Sequence, residues 1–136
     1  FIIKQFLYKK KRKKDIDFLI YYRNHKNKKS FFSYKLIKNL LLLNFKVNIV
    51  GDKLKLPSVI NHNFINNKKL EKLQSRTRYT VTSDENTYSL YTLECIAQNV
   101  KILINKSDKT KIKYFKKSFI KINFDNIKEL SKLKKI

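Results

Sequence analysis

The sequence predicts an α/β fold of three layers, with helices on both faces of a mostly parallel sheet of about five or six strands. Three observations predict it. Apolar runs of strand length alternate with segments of about a dozen residues whose apolar positions recur at three and four, the pattern of βαβ units. The strand-like runs are apolar at successive positions, as in strands covered on both faces. The 136 residues, 42% of them hydrophobic, suffice for one core and leave no room for a second.

Residues 17–22 (DFLIYY) are a continuous apolar and aromatic run and form the first strand. Ser30 is placed to cap a helix in which Leu36, Ile37, Leu40 and Leu43 share one face. Residues 45–50 (FKVNIV) make a second strand that ends at Gly51, the only glycine in the chain. A short strand at 59–62 follows, then a helix over 67–75 carrying Leu70 and Leu73. Residues 79–82 form a fourth strand that runs into a polar turn at Ser83, Asp84, Glu85 and Asn86. The next helix covers 87–98, with Leu90, Leu93, Ile96 and Ala97 on its inward side. Residues 100–104 (VKILI) and 119–122 (FIKI) are further strands, and 126–135 a last amphipathic helix. The Lys-rich stretch 9–14 reads as a linker, so 1–14 is expected to be a linker or the remnant of an upstream region and 15–136 the domain. A chain that begins at Phe1 and holds no Met is expected to be a piece of a longer product. No internal repeat or heptad run is present, which excludes solenoids and coiled coils.

The formal charge of +23 points to a polyanionic partner, nucleic acid or an anionic membrane. Against that, only Arg12, Arg23, Arg76 and Arg78 are Arg, and the abundance of Lys comes with abundant Asn, Ile, Phe, Tyr and Leu. All are available from A- and T-rich codons, so much of the charge reads as a solvated face. A single cysteine, Cys95, excludes an internal disulfide and gives no support to a structural zinc site. It fits a reducing, cytoplasmic setting. The longest apolar runs, 40–43 and 18–22, are far too short to span a bilayer of about 30 Å. At the start of the chain an apolar stretch precedes the lysines, the reverse of a signal peptide.

In parallel sheets ligands bind at the carboxyl ends of the strands. Three loops leave those ends here. The first carries Arg23 and Lys28; the second, Gly51 and Asp52; the third runs from Ser83 to Ser89 and opens a helix that holds Glu94. Arg and Lys suit phosphate oxygens, and the unpaired amides of a helix start favour an anion. A carboxylate about two turns into that helix suits ribose hydroxyls. Asp15 and Asp17 form an Asp-x-Asp pair, a metal motif elsewhere, but they precede a strand instead of ending one, and no metal is expected. His62 and Cys95 have no companions at ligand or nucleophile spacing, so packing is the expectation for both.

These residues resemble the carboxyl-terminal, nucleotide-sugar-binding domain of GT-B glycosyltransferases of the glycogen-synthase-like group, over residues 17–104. That family places Arg, four residues and Lys-Gly after its first strand; Arg23 and Lys28 have this spacing, with Lys29 at the Gly position. A strand then ends in Val-Gly-Asp, matched by Val50, Gly51 and Asp52. Its hallmark reads E-G-F-G-L-x-x-L-E-A-x-A, aligned here with Asn86, Thr87, Tyr88, Ser89, Leu90, Tyr91, Thr92, Leu93, Glu94, Cys95, Ile96 and Ala97. Asn86 stands where the first Glu does, and Thr87 and Ser89 replace both glycines.

The resemblance implies a Rossmann-like domain that binds a nucleoside-diphosphate sugar for transfer to an acceptor held by a missing amino-terminal domain. It implies that Arg23 and Lys28 hold the diphosphate and support its departure. The amides of Thr87, Tyr88, Ser89 and Leu90 contact phosphate or sugar, Asn86 takes the sugar-contacting position, and Glu94 binds ribose; apart from the resemblance, Gly51 reads as a tight turn off its strand that also leaves room for a nucleobase. Neither cofactor nor metal is implied beyond the donor substrate. Two rivals carry other expectations. A basic RNA-binding or organellar ribosomal protein would cluster aromatic and basic residues on one exposed sheet face. An inactive GT-B-like interaction module would keep the fold without nucleotide affinity. The final helix, apolar on one side and Lys-rich on the other, also has the pattern of an interfacial membrane helix.

Overall fold

The computed structural model describes residues 13–24, 34–82 and 87–136. Its strands are β1 (Ile16–Tyr22), β2 (Val47–Gly51), β3 (Ile60–Asn61), β4 (Thr77–Val81), β5 (Lys101–Asn105) and β6 (Phe119–Ile122). The helices are α1 (Tyr34–Leu42), α2 (Asn67–Ser75), α3 (Leu90–Ala97) and a single turn, α4 (Ile127–Leu130). All strand pairs are parallel, in the order β3-β2-β1-β4-β5-β6. This is a Rossmann-like three-layer fold in which the winding reverses between β1 and β4.

Adjacent residues of a strand point to opposite faces, so β5 and β6 each feed two cores. One core gathers Leu36, Ile37 and Leu40 of α1 and Leu130 of α4 over Phe18, Ile20, Val47, Ile49 and Leu103. The other gathers Cys95 and Ile96 of α3 over Val100 and Ile102. Both faces of the sheet therefore carry packed apolar side chains among the described residues.

Local chemistry sets the element ends. Asn66 caps α2 by accepting from Lys69 N–H at 2.9 Å, and Ser89 caps α3 by accepting from Thr92 N–H at 3.2 Å. Helices α1 and α3 stop the same way. Asn44 and Asn99 take left-handed φ of 65° and 62°, and each following residue donates back five positions, Phe45 to Leu40 O at 3.0 Å and Val100 to Cys95 O at 2.9 Å. Each helix thus turns directly into a strand.

Several expectations are corrected. Helix α3 begins at Leu90, not at 87, because the cap is Ser89. Strand β4 begins at Thr77, one residue after the α2 C-cap Arg76. The last helix is one turn instead of ten residues, and its apolar side is not free: Leu130 is fully buried and Leu133 packs on the same core. Ser30, proposed to cap α1, lies outside the described residues.

The Asp-x-Asp pair sits at the amino end of β1, the edge opposite the strands' carboxyl ends. Asp15 is bonded by Arg76 through Nε at 2.8 Å and Nη2 at 3.0 Å, and Asp17 accepts from Lys46 N–H at 2.8 Å and Ile136 N–H at 2.9 Å. Both carboxylates are taken up in structure.

Lys14 ties two helix ends together, donating to Ser75 O at 3.1 Å and to Gln98 O at 2.6 Å. Burial pushes its pKa down from 10.5 to about 8; the Cys95 thiol opposes the shift and Arg78 adds to it. The unfolded chain therefore binds the extra proton between pH 8 and 10.5. Stability from this group rises with pH across that window and is lost as pH falls through 8. Denaturation midpoints compared with Lys14→Met should show wild type gaining on the variant from about pH 7.5 to 9. A gap that stays constant would contradict the buried amine.

Candidate functional site

Strand β1 stays paired with β2 through Tyr22↔Gly51, and β4 with β5 through Val81↔Leu103. Between β1 and β4 the pairing covers only Ile16↔Thr77 and Phe18↔Tyr79. Beyond Phe18 the ladder between the two central strands ends, leaving a fork in the pairing toward their carboxyl ends, at the point where the winding reverses, the place where sheets of this kind bind ligands.

Tyr91, in the first turn of α3, fills the base of that fork. Its hydroxyl donates to Leu19 O at 3.1 Å, a carbonyl of β1 that faces β4, and so accepts from Thr80 Oγ1 of β4, also at 3.1 Å. Burial raises the Tyr91 pKa well above its ordinary value, followed by its neighbour Cys95, so the phenol remains a donor at any working pH. One hydroxyl bridges two strands that no longer bond each other.

The mouth of the fork is built from the ends of β1 and β2. Gly51 takes φ of +99°, and a Cβ there would lie 2.3 Å from Tyr22 O, so only glycine fits. That close approach lets Asp52 N–H donate to Tyr22 O at 2.8 Å. The Asp52 carboxylate then accepts from Asn24 N–H at 2.6 Å and lies 3.8 Å from Arg23 Nε. Arg23 also donates to Tyr21 Oη at 3.4 Å and stands over the Phe64 ring, 5.5 Å from its centroid. The Tyr21 ring lies 5.5 Å from that of Tyr91. A continuous chain of contacts thus links Arg23 to the first turn of α3.

Of the residues singled out in the sequence, Arg23, Gly51 and Asp52 meet at this rim. Glu94 lies on α3, partly buried, three positions past Tyr91 and hence on an adjoining flank; its charge is felt by Tyr91 and Cys95. Thr87 is buried and Tyr88 and Ser89 precede the helix, while Leu90 is its exposed first residue. Tyr88 is fixed to a later segment, its hydroxyl donating to Tyr114 O at 2.8 Å and accepting from Tyr114 N–H at 2.9 Å. Lys28 and Asn86 lie outside the described residues. His62 is bonded through Nε2 to Asn48 Oδ1 at 2.7 Å, and Cys95 is fully buried, its thiol pushed up to about 12 by burial. Both do structural work. Among the described residues, no three His, Cys, Asp or Glu side chains are grouped to hold a metal ion.

Sequence reasoning missed Tyr21, Phe64 and Tyr91. A tyrosine in a first helical turn was the available signal for Tyr91, since a buried phenol has to find a polar partner.

No family model matches the chain, and none of the curated proteins does either.

Proposed function

We propose that this chain binds a nucleoside-diphosphate sugar across the fork between β1 and β4, as the donor half of a GT-B glycosyltransferase whose acceptor site belongs to another domain. The observation that carries the reading is the parting of the two central strands at the reversal point, with an exposed guanidinium, Arg23, at its mouth. Arg23 supplies a planar donor fork for the diphosphate. The Leu90 and Tyr91 amides, ahead of the Thr92 amide that Ser89 takes, have no intrahelical acceptors and offer a second set of donors for an anion. Glu94 accepts from ribose hydroxyls, and Asp52 keeps Arg23 at the rim. As the sugar leaves, negative charge grows on the diphosphate oxygens. Fixed donors in place before that moment stabilise it without covalent participation.

Calorimetric titration with UDP and GDP is the test. Binding that Arg23→Ala and Glu94→Ala each weaken about tenfold or more is the expected result. Absence of binding to either nucleotide by a chain whose circular dichroism is native would favour an interaction module. Binding indifferent to both substitutions would place the nucleotide elsewhere.

A further inference from the structure

The connection from β5 to β6, residues 106–118, crosses between parallel strands with no α-helix, only a 3-10 turn at Lys116–Ser118. It is a strap with two different sides. Phe115, at a left-handed φ of 56°, packs on the core beside Cys95 and Ile102, while its neighbour Tyr114 is 65% exposed. Five lysines fall between 109 and 117, and no acidic residue stands between Asp108 and Asp125. Among the described residues none of the five takes part in a salt bridge, whereas Lys106 is held by Glu129 at 2.6 Å. The strap is anchored. Tyr88 binds both backbone groups of Tyr114 and stacks edge-on against Tyr114 and Phe119, with ring centroids 5.9 and 5.8 Å away. Two residues past Tyr88, Leu90 is 66% exposed.

We propose that this strap docks the domain on an anionic bilayer surface, with the lysines in the headgroup field and Tyr114 and Leu90 at the interface. Lysines without a salt bridge around an exposed tyrosine, with an exposed leucine two residues beyond the tyrosine that anchors it, combine the two signals that reversible membrane binding needs, charge attraction and apolar insertion. A single-stranded nucleic acid would use successive aromatic platforms; here the exposed aromatic is accompanied by an aliphatic side chain, on which bases do not stack. No helix among the described residues is long and apolar enough to cross a membrane, so the contact is peripheral. The inference does not rest on the glycosyltransferase reading.

The whole chain would be sedimented with vesicles of phosphatidylcholine, with and without about 30% phosphatidylserine. Lys109→Gln/Lys111→Gln/Lys113→Gln would be compared with Lys68→Gln/Lys69→Gln/Lys72→Gln, an exposed triple on α2 with the same change of charge. The strap triple should lower partitioning onto anionic vesicles about a hundredfold, near fivefold per lysine, and the α2 triple by less than about tenfold. The chain contains no Trp, so Tyr114→Trp provides a lone indole whose emission should shift to the blue on anionic vesicles. Equal losses for the two triples, or an unshifted indole, would overturn the proposal. Tighter binding to single-stranded RNA than to vesicles at equal salt, lost in the strap triple, would overturn it in favour of nucleic acid.

Discussion

Gly51→Ala should lower the unfolding free energy by about 3–5 kcal/mol, from backbone strain at positive φ together with overlap against a main-chain atom. The methyl group would meet Tyr22 O at 2.3 Å, a main-chain atom that cannot swing aside like a side chain. Relief demands that β2 move away from β1 at the end of their ladder. That motion breaks the bond from Asp52 N–H to Tyr22 O and carries off the carboxylate that holds Asn24 N–H and neighbours Arg23. Urea titration should show the midpoint fall with an unchanged slope, and any nucleotide affinity of the folded fraction should fall with it. A loss under about 1 kcal/mol would mean that the backbone accommodates the methyl group by leaving this conformation.

Phe18→Ala should be about as damaging, near 3–5 kcal/mol. Phe18 is fully buried, 5.5 Å edge-on from Phe45 and 5.2 Å from Tyr79. It is also one half of Phe18↔Tyr79, the last pair before the central strands part. Its removal leaves a cavity under the fork and weakens the pair that fixes where the fork begins. Phe18→Leu fills most of the space and should recover more than half of the loss. Thermal unfolding of the two variants checks this, and equal losses for Ala and Leu would mean that the site tolerates no change of shape.

Most of the sheet was legible because its strands are buried on both faces. A run such as residues 17–22 or 100–104 can hardly be anything else when helical periods stand on either side. Element ends were less legible where a side chain overrides the apolar period. Ser89, by taking the Thr92 amide, starts α3 three residues after the apolar pattern permits. Thr77 Oγ1 donates to Leu73 O at 2.7 Å and lets β4 begin with almost no loop after α2. Lys134 N–H donates to Tyr79 Oη at 2.9 Å, holding the chain after Leu130 against the core by a route other than the expected helix.

At the rim, Arg23, Gly51 and Asp52 could be named from their places just past strands, because every parallel strand delivers its next residues to the same edge. The fork could not. Leu19, Thr80 and Tyr91 come together only once β1 has β4 for a neighbour, and strand order is written in no local pattern. Tyr21 and Phe64 were hidden for a related reason: an aromatic residue in an apolar run reads as core until the edge of the sheet is known.

The all-parallel sheet has a kinetic consequence. None of its neighbours can zip together from a hairpin turn. The halves β3-β2-β1 and β4-β5-β6 each join strands near in sequence, and their union needs contacts between distant residues, such as Asp15 with Arg76, 61 positions apart, and the core that Phe18 and Ile20 share with Tyr79 and Leu103. Closing that long loop is expected to be the late, slow event of folding. The backbone ladder at that boundary, two residue pairs and a tyrosine bridge, should exchange its amide protons before the ladders beside it when the native protein breathes. A bound molecule that touched both halves would then act as a clasp and slow that opening.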